Sequence, residues 1–132
     1  MERLSQIAKQ ASASAAPLPK PHHPLDPLSV TEIKAATTII KNYFSGRTIV
    51  FNTITVREPT KKAYLEWKEQ NGPFPPRIAY YVIMEKGVPG IKDGLVDLVN
   101  MQVMSGQPLA NSQPILTVED LIGTEEIIRR DP

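Results

Sequence analysis

Apolar residues between Val30 and Phe44 recur with the period of a helix. In "SVTEIKAATTIIKNYFSG", Val30, Ile33, Ala36, Thr37, Ile40 and Phe44 share one face, which predicts an amphipathic helix over 30–44. Its ends carry their own signals. Ser29 and Glu32 make an S-x-x-E capping box, Pro27 stops earlier helix, and Gly46 supplies a left-handed residue beyond the last turn. The pattern then changes. "RTIVFNTITV" (47–56) is short and rich in β-branched residues, so it predicts a strand. "PTKKAYLEWKEQNG" (59–72) predicts a short helix with Pro59 in its first turn, Asn71-Gly72 at its end, and Trp67 packed against the sheet. "GPFPPR" predicts a rigid turn, and "RIAYYVIMEKG" (77–87) a second strand closed by Val88-Pro89-Gly90. "IKDGLVDLVN" (91–100) alternates as a third strand, and "MQVMSGQPLA" (101–110) either extends it past a bend or forms a fourth. One long helix and then a meander predict an α+β fold: an amphipathic helix packed on an antiparallel sheet of about four strands.

The flanks are different in kind. "RLSQIAKQA" (3–11) puts Leu4, Ile7, Ala8 and Ala11 on one helical face. Nine residues cannot hold a helix alone in water, since about 12–15 are usually needed. The stretch therefore either frays or orders against a partner. "SASAAPLPKPH" (12–22) reads as a solvated, partly polyproline-like tether. After Pro114 two brief helical signals follow, Thr117 before Glu119-Asp120 and Thr124 before Glu125-Glu126. That ending suggests the opening of a second, interrupted domain. No internal repeat stands out.

Composition narrows the function classes. A chain of 132 residues suggests one domain and part of another, and zero cysteines exclude disulfides, thiolate metal sites and thiol catalysis. No apolar run approaches membrane-spanning length. A net charge of +1, with bases and acids interleaved, gives no footprint for nucleic acid or a polybasic membrane contact. The expectation is a soluble, intracellular protein with neither as a partner.

Candidate chemistry is sparse. His22 and His23 are the only histidines, adjacent on an extended segment, where side chains point apart rather than converge on a metal; they read as a solvated pair. There is no G-x-S-x-G turn, no histidine within the fold to act as base, and no phosphate-cradling glycine pattern. The paired acids at 119–120 and 125–126 are explained by helix dipoles. Tyr80 and Tyr81 must face opposite sides of their strand, so one is core.

Four blocks in order, "HPLDPLSVTEIKAA", "REPTKKAYLEWKEQNGPFPPRIAYYVI", "GLVDLV" and "PILTVEDL", resemble the N-terminal region of copper-dependent, topaquinone-containing primary amine oxidases, in particular the fungal peroxisomal members. The resemblance covers nearly the whole chain. It implies an N2 domain of cystatin-like roll type over 23–112, the start of a related N3 domain over 113–132, and a disordered targeting segment and tether over 1–22. It also implies a homodimeric parent enzyme that deaminates primary amines, with copper and topaquinone held in a separate catalytic domain.

Two departures matter. In that family the quinone forms from Tyr in a Thr-x-x-Asn-Tyr-acidic motif; here Asn42-Tyr43 has Ile39 and Phe44 at the threonine and acidic positions. Three copper-binding histidines are also missing. The expectation is a non-catalytic piece that binds no cofactor itself and has the parent's catalytic domain as its partner. The alternative is an autonomous α+β interaction module. Within "RLSQIAKQA", Arg3, Leu4, Ile7, Gln10 and Ala11 match the pattern of a type-2 peroxisomal targeting signal, implying an import receptor as a second partner and the peroxisome as destination, or the cytosol if the signal is silent. About 90 residues without disulfides should be marginally stable, with an uncovered face that favours self-association.

Overall fold

The computed structural model describes residues 17–131. In chain order they form α1 (Val30–Tyr43), β1 (Ile49–Val56), α2 (Lys61–Gln70), β2 (Ile78–Glu85), β3 (Ile91–Asp97), β4 (Gln102–Leu109) and α3 (Val118–Arg130). The strands make one antiparallel sheet in the order β1-β2-β3-β4, so each pairs with its sequence neighbour. The segment after residue 100 is thus a fourth strand. The α+β expectation of one helix laid on a four-stranded antiparallel sheet holds.

Local signals explain the elements. Ser29 caps α1 by a full capping box: its Oγ accepts from Glu32 N–H, and Glu32 Oε2 accepts from Ser29 N–H at 2.8 Å. Gly46 follows with φ +81°, a conformation that costs a side-chain-bearing residue more. Thr60 caps α2, which leaves Pro59 outside the helix rather than in its first turn, and Asn71 closes it in the left-handed region. β3 stops at Asp97, whose carboxylate accepts the N–H groups of Val99 and Asn100 and so turns the chain.

The core lies between α1 and one sheet face. Ala36, Ile40 and Phe44 meet Ala79, Tyr81, Ile83, Val96 and Leu98 there, while Ile33 and Val30 stay outside it. The buried arc of α1 is therefore turned from the one periodicity predicts, and it includes the charged Glu32. Tyr81 is the largest buried side chain and crosses the sheet surface above Gly94 and Gly106, donating its hydroxyl to Ser105 O at 2.8 Å. A Cβ at Gly94 would overlap both that carbonyl and the Tyr81 ring, so glycine is needed there for close approach. Tyr80, as expected, faces the other way and donates to Asp93.

Four further expectations need correction. Trp67 does not pack on the sheet: its aromatic neighbours are His23, Tyr64 and Phe74, at centroid distances of 5.2, 6.0 and 5.7 Å. Because α2 has no buried residue, this aromatic cluster, not a core, ties it to the domain. His23 is accordingly no solvated residue, although His22 is exposed. Part of the expected tether is docked, with Leu18 packed against the core. Finally, the two brief helices after Pro114 are one, α3, with Thr117 as its cap and Thr124 inside, its hydroxyl donating back to Asp120 O.

Candidate functional site

Three features of the described residues could carry function: a buried ion pair beside a hollow, a tyrosine-carboxylate pair, and an uncovered apolar helix. The ion pair joins the start of α1 to the start of β2. Arg77 Nε donates to Glu32 Oε1 at 2.7 Å, Nη2 to Glu32 Oε2 and to Pro27 O, and Nη1 to Pro24 O. The two side chains are 8% and 3% exposed. Burial alone would raise the Glu32 carboxyl, but the hydrogen bonds and charge of Arg77, with those of Ser29, outweigh it and hold it below its ordinary 4.5. Every polar atom here is satisfied, so the pair locks the leading "HPLDP" segment onto the domain rather than awaiting a substrate. Beside it lies a hollow of about 290 Å³ edged by Leu18, Pro21, Leu98 and Met101, apolar apart from that pair and Lys20.

The tyrosines are not poised for chemistry. Burial and the neighbouring Asp93 raise the Tyr80 phenol, and burial first, then Tyr43 and Asp93, pushes Tyr81 up to about 12. Both therefore stay protonated at neutral pH and act as hydrogen-bond donors. Tyr43, the residue of the incomplete quinone-type motif, is 58% exposed and packs edge-on against Phe44. The donors for a metal do not converge: His23 Nδ1 accepts from Leu25 N–H, and no group of three His, Asp or Glu is assembled among the described residues.

The third feature is a surface. Helix α3 has no buried residue, and Leu121, Ile122, Ile127 and Ile128 are each more than half exposed. Its leading segment touches the sheet edge through Asn52 Nδ2, which donates to Ile115 O at 2.7 Å. Exposed apolar residues gathered on one helix are what a covering surface would bury.

The family model described as "Copper amine oxidase, N2 domain" matches residues 23–109. The chain belongs to the copper amine oxidase N2 domain family. The match begins at His23, where the aromatic cluster and the Arg77 lock gather the chain, and ends with β4, so α3 lies beyond it. A peroxisomal primary amine oxidase of Pichia angusta is 62% identical over 132 residues, covering 100% of this chain and 19% of the relative. Copper amine oxidase 1 of Schizosaccharomyces pombe is 42% identical over 111 residues, 83% of this chain and 16% of the relative. A lysyl oxidase of Pichia pastoris superposes with a TM-score of 0.46 at 14% identity, over 77% of this chain and 15% of that one, a likeness too slight to add to the sequence match. The chain thus spans about a fifth of the length of the Pichia angusta relative, and its N2 domain accounts for the folded core described above.

The five positions of the targeting pattern, Arg3, Leu4, Ile7, Gln10 and Ala11, lie outside the described residues. Sequence reasoning missed Arg77, treating it as the end of a rigid turn. The one available signal was Glu32, an acid on an otherwise apolar helical face, which demands a buried cation.

Proposed function

We propose that this chain is the N2 portion of a copper-containing primary amine oxidase and serves it as a non-catalytic assembly unit. The observation that carries the reading is the 62% identity to a peroxisomal primary amine oxidase, sustained across all 132 residues. The parent enzyme would convert a primary amine, O2 and water to aldehyde, ammonia and hydrogen peroxide, with copper and topaquinone supplied by its catalytic domain. The residues described here do not fit copper, since the two histidines are adjacent and one is engaged by backbone, so no step of that chemistry runs through them. Residues 23–112 would be the N2 domain, 113–132 the opening of N3, and 1–22 a peroxisomal address followed by a link. The partners are the catalytic domain, a second copy of the whole enzyme, and an import receptor that reads Arg3, Leu4, Ile7, Gln10 and Ala11.

Two measurements test this. The isolated chain with copper should develop no quinone absorbance and release no peroxide from methylamine or benzylamine, whereas the full-length gene product should do both. Copper-dependent turnover by the isolated chain overturns the assignment. Residues 1–22 fused to a fluorescent protein should reach peroxisomes, and Leu4→Arg, which charges the apolar face, should leave the fusion in the cytosol. A wild-type fusion that stays cytosolic removes the address.

A further inference from the structure

Residues 17–22 cross the end of the sheet without filling the space around them. Leu18 is half-buried against the core, yet a hollow of about 290 Å³ stays open, lined both by this segment and by Leu98, Val99 and Met101. A second hollow, also of about 290 Å³, adjoins it against Phe74, Pro75 and Pro76, and Lys20 and Pro21 border both. Side chains that face a void have no partner atoms there, so the segment gains little from lying where it does. Three of its residues are prolines without an N–H, and the hydrogen bonds among the described residues begin only at His23. From His23 onward the chain is held firmly. The His23 N–H donates to Asp26 Oδ2 at 2.8 Å, its ring stands edge-on to Tyr64 and Trp67, and Arg77 takes the carbonyls of Pro24 and Pro27.

Chain length gives this weak seat a use. Only residues 12–16 separate Ala11, the last position of the targeting pattern, from Pro17. Fully extended, they span about 20 Å, the width of two helices, which leaves little room for a receptor to close around 3–11 beside a folded domain. Freeing 17–22 doubles that reach to about 40 Å. We infer that residues 17–22 are a releasable strap, hinged at His23 and latched by Leu18, that lets go when an import receptor takes residues 3–11. This deepens the proposed function and rests on its reading of 3–11 as an address.

Affinity for a purified receptor of type-2 signals tests the strap, measured with the peptide 1–22 and with the full-length product of the gene. The full-length protein should bind about 10-fold more weakly than the peptide, because only molecules with a free strap are competent. Leu18→Ser weakens the latch and should bring the protein within about threefold of the peptide, while leaving the peptide's own affinity unchanged. A Gly/Ser insert after Ala16, equal in length to the strap, should do the same by supplying reach without release. Amide exchange in β1–β4 in the same samples separates unlatching from unfolding. Wild-type protein that already binds as tightly as the peptide overturns the strap and leaves the address intact. So does an insert that restores binding where Leu18→Ser does not. A receptor that ignores the peptide overturns the address and the receptor's part in release. The latch is then read without any receptor, from the Leu18 methyl resonances of the 132-residue chain: exchange between docked and free environments is expected, and a single docked environment overturns release.

Discussion

Helices α1 and α3 begin with the same grammar and end in opposite circumstances. Each opens on a hydroxyl cap answered by an acid, runs through a shared apolar pattern, and closes on basic residues. Yet α1 buries Glu32, Ala36 and Ile40, whereas α3 buries nothing. Caps and periodicity decide that a segment will be helical and where it starts. What lies opposite decides what the helix is worth. For α1 the opposing surface is the sheet, with Tyr81 filling the middle; among the described residues α3 buries no side chain, and the segment leading into it is tied to β1 by the hydrogen bond from Asn52 to Ile115 O. Marginal stability follows, because most helical stability comes from packing an amphipathic face rather than from propensity.

The largest expected effect breaks the comparison at its ionic lock. Arg77→Met leaves the Glu32 carboxylate buried without its cation, which should cost about 3–5 kcal/mol. On α3, Arg129→Met removes the partner of Glu125 from an ion pair that is more than half exposed on both sides, and should leave denaturant midpoints unchanged within error. Equilibrium unfolding of both variants checks this. Similar losses from the two would mean that the Arg77 pair is no more than another surface contact.

Next comes the matched apolar pair. Ile40→Ala opens a cavity beneath α1 and should cost about 2–5 kcal/mol, depending on how far Tyr81 and Val96 relax into it. Ile128→Ala, at the position that matches Ile40 when the caps Ser29 and Thr117 are aligned, should change the stability of this chain by less than about 0.5 kcal/mol. A large loss from Ile128→Ala in the 132-residue chain would show that α3 already has a partner within it.

These pairs also show what was legible in the sequence. The order of elements as far as β4, the Ser29 capping box and the α+β class follow from local rules, and the structure repeats them with ends shifted by a few residues, whereas the two helical signals after Pro114 merge into α3. Facing directions were less legible. Val30 and Ile33 fit the apolar period but lie outside the core, while Glu32 breaks it and is buried, because Arg77 arrives from the far end of another loop. The sequence puts Trp67 against the sheet, but its neighbours His23 and Phe74 come from segments without regular structure, which local pattern does not place. The likeness of α1 and α3, aligned from Ser29 and Thr117, stayed hidden because five of the matched positions differ, Ser29 from Thr117, Glu32 from Asp120, Ile33 from Leu121, Ala36 from Thr124 and Lys41 from Arg129, and the caps must be seen before the register is evident. Nothing in local pattern could say that α3 would lie bare.

Acid should weaken α1's lock by less than removing Arg77 does, because a protonated Glu32 still accepts a hydrogen bond from the guanidinium. The Glu32 carboxyl is held below its ordinary 4.5 in the folded chain, so its contribution is present above that value and fades as pH falls through the lower, folded one. Asp97, which burial would raise but the Asn100 and Val99 hydrogen bonds lower, fades in the same direction. Stability should therefore decline below about pH 4.5, and the double variant Glu32→Gln, Arg77→Met should show a shallower decline between about pH 5 and 3. A slope identical to wild type would remove Glu32 from the acid response.

The smallest effect separates making a helix from docking it. Ser29→Ala removes the acceptor for Glu32 N–H and should lower global stability by about 1 kcal/mol, because α1 is part of the cooperative core. Thr117→Ala removes the same kind of acceptor, for Asp120 N–H, and also the hydroxyl that, second to the residue's own N–H, holds the Asp120 carboxylate below its ordinary value. Its intrinsic cost to the helix is similar, but α3 is not coupled to the core, so the denaturant midpoint should stay fixed. The loss should appear instead as faster amide exchange confined to Val118–Arg130, with helical ellipticity reduced while β1–β4 remain protected. If Thr117→Ala shifted the global midpoint as far as Ser29→Ala does, α3 would belong to the same folding unit as α1, and the contrast between the two helices would be one of exposure only.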